Sequence, residues 1–278
     1  MDLLQYEFMR NALWAGVLVS ITCGIMGALV VVNRIVFISG GIAHAAYGGI
    51  GLAIFLGVSP LLGATLFSAV IALLMGVFTF ENREGSDTII GVMWAVGMAL
   101  GVILIDLTPG YHRDLMSYLF GSILTVPRPD LVYMVLLDIL VMVVVGCFYK
   151  ELLSFSYDDT FTATRGVPVR FLHFLLLLLI ALSVVMLIRV VGLILVIALL
   201  TIPASIAGQF TYSLRKMMVV GCLLGATFIF TGLWLSYRFN LTSGATIVIV
   251  ACCGYLLTSG GRAIHGRILK SSRHRIAP

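Results

Sequence analysis

Charge is scarce in this chain. Of its 278 residues only 10% are Asp, Glu, Lys or Arg, while 61% are hydrophobic. A soluble globular chain is about 25% charged and roughly 45–50% apolar. So few charges cannot cover a water-facing surface of this size, and the same shortage of polar residues excludes disorder. Catalytic constellations are missing too. There is no nucleophile–base pair, no pair of carboxylates at catalytic spacing and no H-E-x-x-H, so intramembrane catalysis has no support. The five cysteines, Cys23, Cys147, Cys222, Cys252 and Cys253, lie in apolar segments without a C-x-x-C pair. They read as free core thiols, with no redox role and no disulfide scaffold. No G-x-x-x-x-G-K-[ST] occurs, and no polar stretch is large enough to fold as a nucleotide-binding domain. Any ATPase must be a separate chain. Residues 1–10 carry Asp2 and Glu7 in place of a basic stretch, and the apolar run behind them is too long for a cleaved signal.

What remains is hydrophobic length. Mean hydropathy is +1.14, and about 20 mostly apolar residues suffice to cross ~30 Å of hydrocarbon as a helix. Nine segments qualify: 11–33, 35–57, 60–80, 88–107, 130–149, 171–189, 191–211, 216–236 and 242–260. The expected fold is an all-α polytopic bundle of one domain spanning 1–278, with nine transmembrane helices and eight to ten as the range. The amphipathic region 108–129 either lies on the surface or dips into the protein, and it sets that range.

Lysine and arginine counting orients the bundle. With nine crossings and an internal C-terminus, the inner set is Arg34, Arg83, Lys150, Arg165, Arg170, Arg215, Lys216, Arg262, Arg267, Lys270, Arg273 and Arg275. The outer set is Arg10, Arg113, Arg128, Arg189 and Arg238. Twelve against five places the tail 261–278 in the cytoplasm, where its basic character is ordinary and the net charge of +5 calls for no nucleic-acid partner.

Between the fifth and sixth spans, residues 150–170 form the longest polar interruption. Ser156 suits an N-cap, with Asp158 and Asp159 in a first helical turn where the dipole favours negative charge. Gly166 suits the position after a helix end, and Pro168 follows where a helix cannot continue. The pattern predicts a two-turn helix over about 157–165, either a plain interfacial helix or a docking element for a cytoplasmic partner.

Three ionisable residues sit at membrane depth, His44, Asp106 and Asp138, and such residues are costly unless they face protein or water. Gly40 and Gly41 precede His44 and Gly48 follows it, so its helix face is nearly bare. Bareness permits close helix packing, or leaves room for an ion beside the commonest metal-ligating side chain; both readings stand. One histidine is a poor site, and a homodimer would supply two. Asp106 reads as a helix-end carboxylate. Asp138 faces a cavity or another helix, with no partner evident. Arg189 lies at a helix end, from which it can reach the interface. Pro203 is expected to kink or break the seventh span, with Thr201 or Ser205 satisfying freed backbone groups.

Several segments together resemble the permease subunits of the manganese/zinc/iron uptake ABC transporter family. They are Ile42-Ala43-His44-Ala45 in the glycine-rich second span, Ser86-Asp87-Thr88 through Gly91, and Asp114-Leu115 through Gly121 to Leu124. Asp158-Asp159 through Gly166 and Pro168 follow, then Val191-Gly192 through Pro203-Ala204. All fall in the family's order. The resemblance implies a fold related to vitamin B12 and siderophore importers and a homodimer with its pathway on the dimer axis. It implies a coupling helix at 156–168 seated in a separate cytoplasmic ABC ATPase, and an extracytoplasmic metal-binding protein that delivers the ion. Gly40, Asp87, Asp114, Gly121, Gly192 and Pro203 are its packing and gating positions. The location implied is a bacterial or archaeal cytoplasmic membrane.

The chain departs from the family at Gly40, where the family has an aspartate that shares a helix face with the histidine. Without that carboxylate a nitrogen-dominated site fits Zn²⁺ better than Mn²⁺ or Fe²⁺. The expectation is an ATP-driven importer of a divalent transition metal, zinc first, in which the metal is cargo and no cofactor is resident. The alternatives are an importer of an organic metal chelate and a gradient-driven secondary carrier.

Overall fold

The computed structural model describes residues 7–81, 86–109, 121, 123–193 and 195–274. Hydrocarbon offers no partner to a free N–H or C=O, so a spanning chain satisfies its backbone within helices, and the described residues are helical between short turns. In chain order the helices are α1 (Glu7–Val32), α2 (Val36–Phe55), α3 (Pro60–Glu81), α4 (Ser86–Asp106), α5 (Arg128–Cys147), α6 (Tyr149–Tyr157), α7 (Asp159–Thr164), α8 (Val169–Val191), α9 (Val196–Phe210), α10 (Leu214–Phe239) and α11 (Ser243–His274). Side-chain hydroxyls at membrane depth turn back onto their own helix, as Ser39 does to the Val36 carbonyl (2.7 Å) and Ser183 to that of Leu179 (2.7 Å).

Eight helices among the described residues are long and apolar enough to cross a membrane. They correspond to eight of the nine expected segments; the difference lies at 191–211. There α9 has only 15 residues, about 22 Å of rise against ~30 Å of hydrocarbon. Of the kink or break expected at Pro203, the break does not occur, since α9 runs through that proline. The Thr201 hydroxyl donates to the Ile197 carbonyl (2.7 Å). The interruption falls at Gly192, whose φ of 83° and ψ of 163° only glycine adopts readily. Gly121, at φ 63°, lies against it, and a Cβ on Gly121 would collide with the Val191–Gly192 backbone.

The expected amphipathic stretch enters the protein at its end. Gly121, Ile123 and Val126 are buried, and the Asn11 amide donates to the Val126 carbonyl (3.3 Å). Asp114 lies outside the described residues. Arg189, expected at a helix end within reach of the interface, pairs with Asp130 in the first turn of α5, its Nε donating to Oδ2 at 2.8 Å. Arg128 meets Glu7 at 2.6 Å nearby.

Burial separates centre from coat. Within the spanning windows, α2 is 89% buried, α8 72% and α1 67%, whereas α3, α4 and α5 are 22–28% buried. Glycine lets the central helices touch backbone to backbone. On α4, a Cβ at 97 would stand 2.7 Å from the Ala45 Cα, and one at 101 would stand 2.6 Å from the Tyr47 carbonyl oxygen. On α1, Gly24 packs against Cys222 of α10, and Gly27 against the Leu200 carbonyl of α9.

Gly101→Ala forces α4 off α2 and should cost about 1–3 kcal/mol, the usual size of overpacking. Gly146→Ala, on the exposed side of α5 with nothing within 4 Å of a new Cβ, should leave stability unchanged or raised by up to about 1 kcal/mol. Thermal unfolding of the two purified variants in one detergent checks the contrast.

Candidate functional site

His44 lies midway along α2 and is buried, with 8% of its surface exposed. Its Nδ1 is buried and has no hydrogen-bond partner among the described residues. The imidazole is stacked on the Trp94 indole of α4, with ring centroids 4.2 Å apart and planes 5° from parallel. Trp94 donates its Nε1–H to the Met98 sulfur one turn on (3.2 Å), and Phe37 tilts against it at 6.2 Å. Trp94 therefore covers one face of the His44 ring from within the same chain.

Gly40, one turn before His44 on the same face, meets α9. A Cβ there would stand 2.6 Å from Cδ1 of Ile197. The slot that would hold a side chain at position 40 is filled by an apolar group from the first turn of α9, just after the break at Gly192. Two of the motif segments thus meet, α2 with Gly40 and His44 and the 191–204 segment with Ile197, and α4, which begins with a third, adds Trp94 from just beyond it.

Asp138 stands elsewhere. It is buried in α5 and faces α1, where the Thr22 hydroxyl donates to its Oδ1; Oδ2 has no partner among the described residues. The Thr22 hydroxyl also lies 3.4 Å from the Met186 sulfur of α8. Asp138 thus joins α1, α5 and α8, and no described contact links it to His44. Among the described residues no group of three His, Cys, Asp or Glu is arranged to hold a metal ion. Asp106 is the last residue of α4 and exposed, the helix-end carboxylate expected.

At the lysine- and arginine-rich end, a cavity of about 700 Å³ is lined by Asn33, Arg34, Thr79, Asp87, Ser156, Asp158, Asp159 and His173. It joins the start of α4 to the polar connection between α5 and α8. That connection holds two short helices where one was expected. Ser156 is not an N-cap: it belongs to α6, whose Leu152 is buried, and it accepts from the Asn33 amide (2.8 Å). The cap is Asp158, extended at φ −155°, whose Oδ1 accepts from the Phe161 N–H (2.8 Å) to open α7. Asp159 falls in the first turn of α7. Ser154 and Thr162 hydroxyls, 2.7 Å apart, fasten α7 to α6. Gly166, at φ 76°, follows the end of α7, and Pro168 precedes α8, as the spacing predicts.

Four participants escaped the sequence reading: Trp94, Ile197, Thr22 and Asp130. Each meets its partner from more than fifty positions away except Trp94, which is fifty from His44. No spacing rule within one helix reaches that far.

A sequence model described as the ABC 3 transport family matches residues 5–260. An uncharacterized membrane protein of Synechocystis is 55% identical over 255 residues, covering 92% of this chain and 91% of that one. The manganese transport system membrane protein MntC of Listeria monocytogenes is 36% identical over 249 residues, 90% of this chain and 89% of its own. Among solved structures, PsaBC from Streptococcus pneumoniae in complex with Fab superposes with a TM-score of 0.84 at 32% identity, over 92% of each chain. An inward-facing transporter described as metal-chelate type gives 0.72 at 18% identity over 91% of this chain and 86% of that one, a likeness of fold alone. Eight membrane-length helices and a match over nearly the whole chain lead to one conclusion: this is a multi-pass membrane protein of the ABC 3 transport family.

Proposed function

We propose that the chain is the permease subunit of an ATP-driven importer of divalent transition-metal ions, two copies forming the pathway. A separate ATPase docks on residues 156–168, and an extracytoplasmic binding protein delivers the metal. The observation that carries the reading is His44: in a transport-family chain, the most buried span bears an imidazole whose Nδ1 has no described partner, with glycine at three of its four nearest helical neighbours. Neutral imidazole is a ligand for such ions. Kinship supports the cargo class, since the Listeria relative is named for manganese. Zinc is the second reading, and Gly40 favours it, because Ile197 fills the place of a carboxylate and leaves nitrogen as the donor. The metal passes as substrate, and the chain is not itself an enzyme.

The residues divide the work. His44 meets the ion at membrane depth, where it has lost part of its hydration. Gly192 and Gly121 let α9 start inside the protein and bring Ile197 against α2. Asp87 and Asp158 line the cavity that opens toward the ATPase side. Gly166, with open space around it, presents α7 to the partner.

The deciding assay is uptake into proteoliposomes holding the permease and its ATPase, with ATP on the ATPase side and the binding protein opposite. ATP-dependent accumulation of Mn²⁺ supports the first reading and of Zn²⁺ the second; accumulation of neither overturns both. In the same assay His44→Ala should slow uptake at least tenfold, the lower end of what lost metal-site support costs. Gly166→Ala incurs only the backbone strain of a left-handed residue, about 1–2 kcal/mol, and should still copurify with the ATPase; Gly166→Arg should insert normally and lose it. Gly40→Asp should lower the melting temperature, and adding Ile197→Ala should recover it and shift competition uptake toward Mn²⁺.

A further inference from the structure

We infer that Trp94 is a positioning residue for the cation path: its indole fixes the plane of the His44 imidazole in place of the hydrogen bond that ordinarily orients a metal-ligating histidine. The inference rests on the reading that His44 meets the ion. A ligating imidazole usually donates from its second nitrogen to a carboxylate or carbonyl, which sets the ring's orientation and raises its basicity. The Nδ1 of His44 has no such partner among the described residues, and three of its four nearest helical neighbours, Gly40, Gly41 and Gly48, carry no side chain to hold the ring. The stack does that work, with planes 5° apart and centroids 4.2 Å apart.

The geometry suits transit. Nitrogen lone pairs lie in the ring plane, so an indole on the ring face leaves the in-plane approach open to a cation. A stacked ring is oriented without the added basicity that a hydrogen-bonded carboxylate confers, so it holds its cargo less firmly and releases it more readily. Trp94 is itself constrained: Nε1 donates to the Met98 sulfur (3.2 Å), and Phe37 lies against it. Beneath the pair, Gly97 and Gly101 of α4 rest on the α2 backbone, which sets the two helices close enough for the rings to stack.

The arrangement carries its own reporter. The chain has three tryptophans, and the other two, Trp14 and Trp234, are both exposed at 64%. In a full-length Trp14→Phe/Trp234→Phe chain in lipid nanodiscs, Trp94 emits alone, and titration with paramagnetic Mn²⁺ or Co²⁺ should quench it saturably. His44→Ala in that background should abolish the quench. Uptake by Trp94→Phe, which keeps a flat ring, should retain a KM near the starting value. Trp94→Leu, apolar but without a flat face, should raise KM about tenfold with kcat little changed.

Absence of quenching while His44→Ala still cripples uptake would overturn the role of Trp94 and leave the importer reading intact. Quenching that survives His44→Ala, or equal KM values for the Phe and Leu variants, would also overturn it. Normal uptake by His44→Ala would instead remove the reading on which the inference rests.

Discussion

The contact on which the architecture depends is the meeting of α2 and α4 without side chains between them. In a bilayer, lipid is as apolar as leucine, so burying leucine gives helices little reason to associate; close van der Waals approach does. Gly48 and Gly51 of α2 alternate with Gly97 and Gly101 of α4, and each occupies the place where the other helix's backbone passes. The same contact that joins the helices lays Trp94 over His44. A larger residue at any of these four glycines would separate not only two helices but also two rings.

From there the motif residues form a connected column. At the turn between α8 and α9, Gly121 and Gly192 touch backbone to backbone, and both take backbone angles that a side chain would resist. Their pairing ends α8 and lets α9 begin inside the protein, where Ile197 reaches Gly40. One turn further along α2 comes His44 with Trp94. Two turns before Trp94 on α4 stands Asp87, in the cavity it shares with Ser156, Asp158 and Asp159. Residues scattered across more than a hundred positions thus stand in one chain of contacts, from the Gly121–Gly192 turn to the cavity beside Asp87 and Asp158.

How much of this was legible in the sequence follows from what each feature depends on. Spans are set by local apolar length, and 60–80 against Pro60–Glu81 or 35–57 against Val36–Phe55 shows how closely that length was read. The cap of α7 was misplaced because Ser156 and Asp158 both suit the role; burial of Leu152 extends α6 through Ser156 and leaves the cap to the aspartate. Proline is the helix breaker visible in a sequence, so the pattern points to a kink or break at Pro203. The chain breaks at Gly192 because Gly121 closes upon it, and that contact exists only in three dimensions. The Trp94 stack, the Ile197 plug and the Arg189–Asp130 pair share the same property.

The burial of α2 has a consequence for the lipid. Sheathed over 89% of its span, this helix has little direct sense of how thick the membrane around it is. Bilayer thickness acts on the coat, where α3, α4 and α5 have 20–22 residues, about 30–33 Å of rise, and so match the hydrocarbon with little tilt. A thinner bilayer would lean those helices over to hide their ends. Glycine holds both α3 and α4 to α2, with Gly63 against Gly49 and Gly97 and Gly101 against Ala45 and Tyr47. But α4 carries the indole that lies on His44, so acyl-chain length reaches the buried imidazole through α4.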